Sequence, residues 1–423
     1  MCVNINILYT NKLIQLRTLK KQITMGGLSK HMMHPYDDVM MPINNLCDII
    51  EKSIMGELVF TEKLDGYNIH ASFVDGKARF FRNGKDIQTN GMTIEELKYK
   101  YNGSPKQLGV FTDAAEKISL FFKDLDEDLI HDNCIVTFNC ECIFGDLSAP
   151  TNIMPYTSLD NKVYLHNIWE WNKDTGEVVK IHNIDKTSLN TYFYNKISYA
   201  LRKNQNIISL TPTIPYRCIS PERHYDEYYV ELFTSMLLEI VGDSVSLYDF
   251  YKNEFAKFIR QYKHPHGEML YGNIDGFNGL FDDLFERLFF NNTSIGKKYL
   301  AQTYNLAKEE INGLLNDNNI KTFIRQTKSK IEDVFRAIGD YILENCTFYI
   351  NYNCRYLVSD LIMNRVNNIL ANKNPDDKAF EYYNRLSGNN MRINALEGVT
   401  FEYNNNLYKW TGSFSLINKL IWS

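Results

Sequence analysis

The feature that most constrains the fold is a change in the spacing of apolar residues that occurs twice along the chain. Up to about residue 221, short runs alternate polar and apolar side chains, as β-strands do. Residues 222–390 instead repeat apolar side chains at helical spacing, and strand-like alternation returns after residue 390. Since an isolated strand pair is unstable in water, we expect the last strands to join the first ones. The pattern predicts an α+β fold in which antiparallel sheets with helices form a core interrupted by a large, mainly α-helical insertion.

This pattern divides the chain into four segments. We predict an N-terminal extension at 1–45, the first part of the core at 46–221, the helical insertion at 222–390 and closing strands at 391–423. A short helix is predicted at 45–55, and Asp75-Gly76 marks a hairpin turn. The predicted strands are 57–62, 67–74, 78–81, 134–144, 162–171, 177–181, 398–403 and 407–410.

Composition limits the classes of partner. The chain has 423 residues and a net charge of −5, so any polyanion would have to bind at a local basic patch. No apolar run reaches the roughly 18 residues that cross a bilayer. The N-terminus lacks the order of regions found in a signal peptide. We therefore expect a cytoplasmic protein with no membrane partner.

The cysteines give little sign of a metal site. None of the eight forms a C-x-x-C pair, which argues against a zinc ribbon. Cys140 and Cys142 flank Glu141 in a predicted strand and share one face, so we expect reduced, apolar core residues. His264-Pro265-His266 is an equally weak metal signal.

The first candidate for chemistry is Lys63, in the tetrad Lys63-Leu64-Asp65-Gly66. A lysine at the end of a strand, before a turn that contains glycine, can project into a cleft. An amine attacks phosphorus only in its neutral form, which neighbouring cations favour. The tetrad alone is better explained as an exposed lysine beside a turn.

Further candidates follow in the sequence. Arg82-Asn83-Gly84 fits an arginine–glycine turn on the return strand of the predicted hairpin. Glu141 lies within an apolar strand, where a carboxylate is costly to bury without a partner. His166 lies on the next predicted strand. Glu397-Gly398 opens the closing strands, and Lys409 lies on the last one.

In this order the motifs resemble those of the covalent nucleotidyltransferases, namely ATP-dependent DNA ligases, RNA ligases and mRNA capping enzymes. The resemblance covers roughly residues 34–170 and 395–415 and implies a nucleotidyltransferase core that resembles the ATP-grasp fold. It implies that Lys63 attacks ATP and carries AMP, and that Asp65 and Gly66 help to place the nucleotide or the lysine. It also implies that Arg82 contacts the nucleotide or the end phosphate; Arg79 is the rival.

The resemblance assigns roles to the later motifs as well. Glu141 would accept from the ribose hydroxyl or help to hold a metal, and Glu397 would bind Mg²⁺ or Mn²⁺ near the phosphates. His166 would stack on the base, with Tyr164 as the rival. Lys409 would contact the α-phosphate. Two positions depart from the family pattern: His166 replaces a Phe or Tyr, and Lys409 stands alone where two lysines are common.

The choice among family members rests on the C-terminus. DNA ligases and capping enzymes carry a further OB-type domain, and since the chain ends at Ser423, soon after Gly412, we expect none. This favours an RNA ligase, which uses ATP to join a 5′-phosphate end to a 3′-hydroxyl end. Segments 34–38, 82–96 and 409–414 resemble phage-encoded members of the superfamily. The alternatives are a DNA ligase, a nucleotidyltransferase with another acceptor, and a nucleotide- or nucleic-acid-binding module without turnover.

The helical insertion is a candidate for recognition of the substrate end. Phosphate contacts need cations, but acidic residues are interspersed, so a solvated helix surface explains most of these positions too. The basic positions are Lys297, Lys298, Lys308, Lys321, Arg325, Lys328, Lys330 and Arg336.

Overall fold

The chain is a mixed α+β protein, as predicted. The computed structural model describes residues 32–64, 66–103, 105–143, 162–211, 213–214, 223–262, 279–346, 362–364, 366–374, 377–387, 397–404 and 406–421. Its strands are β1 (Phe60–Lys63), β2 (Tyr67–Val74), β3 (Lys77–Phe81), β4 (Ile130–His131), β5 (Cys134–Cys142), β6 (Val163–Asn172), β7 (Val178–Asn183), β8 (Ile208–Leu210), β9 (Thr213–Ile214), β10 (Gly398–Tyr403) and β11 (Asn406–Trp410).

The helices include a short one before β1, several between the strands and a long series after β9. They are α1 (Ile43–Ile54), α2 (Gly84–Gln88), α3 (Ile94–Lys100), α4 (Pro105–Leu125), α5 (Thr191–Lys203), α6 (Arg223–Val241), α7 (Leu247–Gln261), α8 (Leu280–Phe290), α9 (Lys297–Tyr304), α10 (Lys308–Asn316), α11 (Asn318–Cys346), α12 (Lys378–Ser387) and α13 (Phe414–Ile421).

The main predicted strands and the change of period are confirmed. Helices α6 to α12 occupy the described part of residues 222–390, and β10 and β11 follow them. One local prediction is wrong. Arg82-Asn83-Gly84 is not a simple turn, because β3 ends at Phe81 and Asn83 caps helix α2 by accepting from the backbone N–H groups of Lys85 and Asp86.

The chain divides into two compact units. One contains Met33–Glu57 and Ile219–Ile338, and the other contains Leu58–Cys218 and Gly339–Ser423. This division assigns residues 33–57 to the helical unit and residues 339–390 to the unit that holds the sheets. Among the described residues, no helix combines the length and the apolar character needed to cross a membrane.

A four-stranded sheet joins the two ends of the core. Its strand order is β11-β10-β1-β9, and β1 pairs antiparallel with β10 from Thr61 opposite Thr400 to Lys63 opposite Gly398. The closing strands therefore return to the first strand of the core, as the sequence predicts. One face of this sheet is aromatic and buried, with close ring contacts among Phe60, Phe401, Tyr408 and Trp410.

The second sheet has seven strands, five of them in the order β3-β2-β5-β6-β7, with β4 pairing β5 and β8 pairing β6. Alternate residues of its strands form an apolar face, where Phe138 of β5 contacts the rings of Phe121 and Phe122 of α4. The opposite face carries Asn68 and His70 on β2 and Glu141 on β5. The same strands therefore supply an apolar core on one face and buried polar side chains on the other, because side chains alternate between the faces.

The helical unit is held together by phenylalanine packing. Phe255 of α7 contacts the rings of Phe281, Phe285 and Phe289 of α8. Lys328 of α11 donates to the carbonyl oxygen of Phe289, and burial lowers the pKa of this lysine. Lys328 is therefore committed to packing, which argues against it as one of the RNA contacts considered above.

Two glycines bring backbone segments of the sheet-containing unit close together. A Cβ at Gly339, within helix α11, would lie 2.7 Å from the backbone nitrogen of Gly412. The neighbouring Asp340 carboxylate accepts from the backbone N–H of Ser413 at 2.7 Å and from its hydroxyl at 2.6 Å. Residues 411–413, between β11 and α13, are thus fixed against α11.

We predict that Gly339→Ala destabilises the protein although alanine is the better helix former. The added methyl group would clash with the backbone of Gly412, so we expect the free energy of unfolding to fall by about 1–3 kcal/mol from overpacking. Gly109→Ala is the matched control, since Gly109 lies in helix α4 and a Cβ there meets nothing within 4 Å. We expect this control to gain about 0.5–1 kcal/mol from helix propensity. Urea unfolding followed by circular dichroism compares the two, and equal midpoints for both variants would contradict the close approach.

Candidate active site

Lys63 and Glu397 meet in an ion pair. Lys63 is the last residue of β1 and lies opposite Gly398, so Glu397, just before β10, reaches its amine. Lys63 Nζ donates to Glu397 Oε1, and the Glu397 side chain is only 7% exposed. The two residues are 334 positions apart in the sequence. Strand pairing therefore joins the tetrad that contains Lys63 to the Glu397-Gly398 pair.

Gly398 explains why a small residue follows Glu397. A Cβ at this position would overlap the carbonyl oxygen of Trp410 and would lie 3.0 Å from Cγ2 of Thr411. The glycine allows β10 to lie against the end of β11 at this point. The Glu-Gly pair thus combines a carboxylate for Lys63 with close backbone packing.

Gly66 plays a comparable part in the tetrad. A Cβ at this position would lie 2.7 Å from the carbonyl oxygen of Cys142 and 2.9 Å from Cγ of Glu141. The backbone after Lys63 therefore passes directly over the end of β5. This contact links the Lys63 tetrad to the strand that carries Glu141. Asp65, which precedes Gly66 in the tetrad, lies outside the described residues.

Lys409 lies on the same face of the four-stranded sheet as Lys63. Thr61, Thr400 and Lys409 form one row across β1, β10 and β11, and Lys63 is two residues from Thr61 along β1. Paired residues and residues two apart share a face. The side chains of the two predicted phosphate-contacting lysines therefore extend from one surface, opposite to the aromatic face.

Glu141 and His166 form the polar end of the seven-stranded sheet. Glu141 is 8% exposed, and its Oε2 lies 3.4 Å from Nε2 of His166. Thr211 Oγ1 lies 2.8 Å from Nδ1 of His166, so both ring nitrogens have a partner. The register of β5 and β6 shifts at Asn139/Cys140, opposite residue 166. This bulge places His166 beside Glu141.

A chain of amide side chains supports Glu141. Asn68 Nδ2 lies 3.4 Å from Oε2 of Glu141 and donates to Oδ1 of Asn139 at 2.6 Å. Asn139 donates to Asn167 at 3.0 Å, and Asn167 accepts from the indole of Trp169 at 2.6 Å. These contacts cross β2, β5 and β6 and satisfy polar groups that would be costly to bury alone.

Arg82 is held by protein groups. Its Nη1 donates to the carbonyl oxygen of Asn68, its Nε donates to the hydroxyl of Tyr101 at 3.0 Å, and its Cζ lies 4.6 Å from the ring centre of Phe111. These contacts join β2 to helices α3 and α4. The nucleotide or phosphate contact of Arg82 stays a prediction. Its rival Arg79 is partly buried, and its Nε donates no hydrogen bond within the described part of the chain.

Tyr164, the rival of His166, lies in an apolar cluster. It is 4% exposed and packs with Leu64, Ile143 and Leu416. Burial, followed by the charge of Glu62, raises the pKa of its hydroxyl to about 12. His166 keeps 19% of its side chain exposed, which makes it the more accessible of the two.

Three further ionisable groups are buried: the thiols of Cys140 and Cys142 and the imidazole of His70. Cys140 and Cys142 lie in the apolar cluster beneath the seven-stranded sheet, and both are free thiols, as predicted. Burial raises the pKa of both thiols and keeps them protonated. His70, on the polar face, is fully buried, and burial lowers its pKa to about 3, so it is neutral.

The two predicted metal ligands belong to different sheets. Glu141 lies on β5, and Glu397 directly precedes β10. In the parts of the chain that the structure describes, no group of three or more His, Cys, Asp or Glu side chains could hold a metal by itself. Mg²⁺ in nucleotide sites commonly takes one or two carboxylates and completes its shell with phosphate and water. A single carboxylate such as Glu397 fits that mode.

Comparisons with protein-family models, with curated proteins and with solved structures give no match to this chain.

The structure adds three residues that the sequence interpretation did not select. Asn68 could have been noticed, because the alternation in β2 puts it on the polar face with His70. Thr211 carries no signal of its own, since it contacts His166 only through folding. Glu62 directly precedes Lys63 but points to the opposite sheet face, in one row with Val399 and Trp410.

Glu62 is an ionisable group on an apolar surface. Burial raises the pKa of its carboxyl from 4.5 to about 7. In the unfolded chain this carboxyl loses its proton near pH 4.5, whereas in the folded protein it keeps the proton up to about pH 7. The folded state therefore binds more protons in that window, and stability falls as the pH rises through it.

We predict that Glu62→Gln removes this pH dependence. The free energy of unfolding of the variant minus that of the wild type should be larger at pH 8 than at pH 5, by an amount on the order of 1–3 kcal/mol. The reason is that burial penalises only the charged carboxylate of the wild type. Thermal unfolding at both pH values measures the difference. Glu57→Gln, at a residue before β1, is the control. If the stability difference between the wild type and Glu62→Gln is the same at pH 5 and pH 8, burial does not penalise the charged form of Glu62.

Proposed function

We propose that this chain is an ATP-dependent polynucleotide ligase in which Lys63 carries AMP, and that its acceptor is RNA. The observation that carries the proposal is the ion pair between Lys63 and Glu397 across 334 residues. The resemblance drawn from the sequence pairs a lysine nucleophile with a carboxylate near the phosphates. The strand pairing of β1 with β10 supplies that pair.

The surroundings of the pair support the proposal. Gly66 lies against Glu141, and Glu141 contacts His166, which keeps part of its ring accessible. Lys409 extends from the same sheet face as Lys63. Two cations, two carboxylates and an imidazole ring are the groups needed for phosphates, a ribose and a base.

The first step transfers AMP to the protein. The ammonium group of Lys63 must lose its proton, and Glu397 is the carboxylate in contact with that group. The neutral amine then forms a bond to the α-phosphorus of ATP while the bond from that phosphorus to the β-phosphate oxygen breaks. Pyrophosphate leaves with the electron pair. Such transfers depend mainly on positioning and charge neutralisation, which Lys409 would supply.

The next steps pass the nucleotide on and join the strand. An oxygen of the 5′-phosphate end attacks the phosphorus of the lysyl-AMP while the bond from that phosphorus to the Lys63 nitrogen breaks, and the nitrogen takes up a proton and leaves as the amine. The 3′-hydroxyl end then loses its proton, attacks the activated 5′-phosphate and releases AMP. The result is one new phosphodiester bond. A divalent cation held by Glu397, or by Glu141, would neutralise the phosphate charge.

We predict that Lys63 is required for covalent labelling. Incubation with ATP labelled at the α-phosphate and with Mg²⁺ should leave acid-labile label on the wild type. Lys63→Ala and Lys63→Arg should reduce the label to background, because neither supplies the attacking amine. Glu397→Gln and Lys409→Ala should slow labelling roughly 100-fold, the usual cost of one electrostatic group. The label is quantified after denaturing electrophoresis.

The control is Lys77→Ala, at the exposed start of β3, which should label at the wild-type rate. If the wild type takes no label from any of the four nucleoside triphosphates with Mg²⁺ or Mn²⁺, the chain is not a covalent nucleotidyltransferase, and a binding module without turnover replaces the proposal. Ligation assays with nicked DNA, nicked duplex RNA and single-stranded RNA then identify the acceptor.

We predict that His166 acts as a base platform. His166→Phe should keep most of the labelling rate, because a phenyl ring also stacks on a base. His166→Ala should raise the KM for ATP about tenfold while changing kcat less. Thr211→Val removes one hydrogen bond to the ring and tests orientation separately. Equal losses in His166→Phe and His166→Ala would show that the ring nitrogens matter instead of the stacking surface.

A further inference from the structure

Helix α5, Thr191–Lys203, carries tyrosines and cations on its outer side. Tyr192 is 64% exposed and Tyr199 is 54% exposed. The helix contains three cations, Lys196, Arg202 and Lys203, and no acidic residue. Large aromatic side chains are seldom this exposed without a partner when they recur on one face.

The helical spacing aligns the two tyrosines. They are seven residues apart, which is nearly two turns, so their rings lie on one side and about 10 Å apart along the axis. The opposite side of the helix packs into the apolar cluster through Ile197 and Ala200, which are fully buried. The outer tyrosines are therefore not needed for the core.

The segment around the helix is basic in an acidic protein. Residues 178–206 contain five lysines and arginines and one acidic residue, Asp185, whereas the whole chain has a net charge of −5. The carboxylate of Asp185 accepts from the backbone N–H groups of Thr187 and Ser188. This is the kind of local basic patch that a polyanion would need.

Some of these cations are paired and others are available. Lys196 pairs with Glu127 and Lys203 pairs with Asp124, both acceptors belonging to the α4 region. Lys180, Lys186 and Arg202 form no ion pair with any residue that the structure describes. Lys196 Nζ also lies 4.8 Å from the ring centre of Tyr192. At this position a cation and an aromatic ring are thus in contact.

The helix is connected to the candidate active site through the chain that follows it. Strand β8 comes after α5 and pairs with β6 at Val163–Leu165. Thr211, directly after β8, contacts His166. A nucleic-acid strand bound along α5 would therefore lie on the same unit as the predicted nucleotide site.

We propose that the outer face of α5, with Tyr192, Tyr199 and Arg202, binds single-stranded RNA together with Lys186, which precedes the helix. The tyrosine rings stack on bases, and the cations contact phosphates, which is how sequence-tolerant binding to single strands is achieved. The choice of RNA rests on the proposed ligase function. This α5 surface would bind nucleotides of the RNA other than those at the end being joined.

The test measures binding of the full chain to fluorescein-labelled rU10 by anisotropy at low salt. Tyr192→Ala combined with Tyr199→Ala should weaken binding at least about tenfold, since each stacked base contributes several-fold or more. Tyr192→Phe with Tyr199→Phe should bind as the wild type does. Tyr228→Ala, at a tyrosine of α6 that is 58% exposed, is the matched control and should have no effect.

The charge contribution is tested by salt dependence. Lys186→Gln combined with Arg202→Gln should reduce the slope of log K against log salt by about 1.4, or about 0.7 for each lost phosphate contact. Lys257→Gln, at an exposed lysine of the helical unit, is the matched control and should leave the slope unchanged. An unchanged slope in the α5 variant would reject these two contacts.

Covalent labelling with ATP separates this proposal from the ligase proposal. The α5 variants should take label at the wild-type rate. If the chain binds rU10 through α5 but takes no label, the RNA-binding surface stands and the ligase proposal fails. If the chain takes label but the alanine variant binds rU10 as the wild type does, or if no binding of rU10 is measurable, the surface is rejected. Tighter binding of dT10 than of rU10 would overturn the assignment to RNA.

Discussion

The pairing of β1 with β10 is the interaction on which the candidate site depends. Three paired positions, from Thr61 opposite Thr400 to Lys63 opposite Gly398, bring together two segments that are far apart in the sequence. Loop-closure entropy grows only with the logarithm of loop length, so each doubling of a long excursion costs only about 0.6 kcal/mol. A helical segment of this length can therefore interrupt a sheet without preventing its closure.

Close backbone approach is the second requirement of the site. Gly398 lets β10 lie against Trp410, and Gly66 lets the chain after Lys63 lie against Cys142 and Glu141. Both glycines belong to the motifs that carry Glu397 and Lys63. The chemistry and the packing thus constrain the same short segments, which explains why each reactive residue has a glycine within three positions.

The polar face of the seven-stranded sheet adds rigidity to this arrangement. Glu141 is nearly buried, and the amide chain from Asn68 through Asn139 to Asn167 satisfies polar groups around it. A buried carboxylate without such partners would be costly. Glu62, on the other sheet, lies on the aromatic face, where burial raises the pKa of its carboxyl to about 7.

The sequence by itself determined the main strands, the helical segment and the return of the chain to the core, because alternation and helical spacing are local patterns. It also singled out Lys63, Glu141, Glu397 and Lys409. Only the tertiary structure decided which of them meet: Lys63 with Glu397, and Glu141 with His166, Asn68 and the backbone at Gly66. It also showed that Arg82 is engaged by Asn68, Tyr101 and Phe111 and that Asn83 begins a helix. Strand register and burial decide such contacts, and both depend on residues far apart in the sequence, so no local pattern could have predicted them.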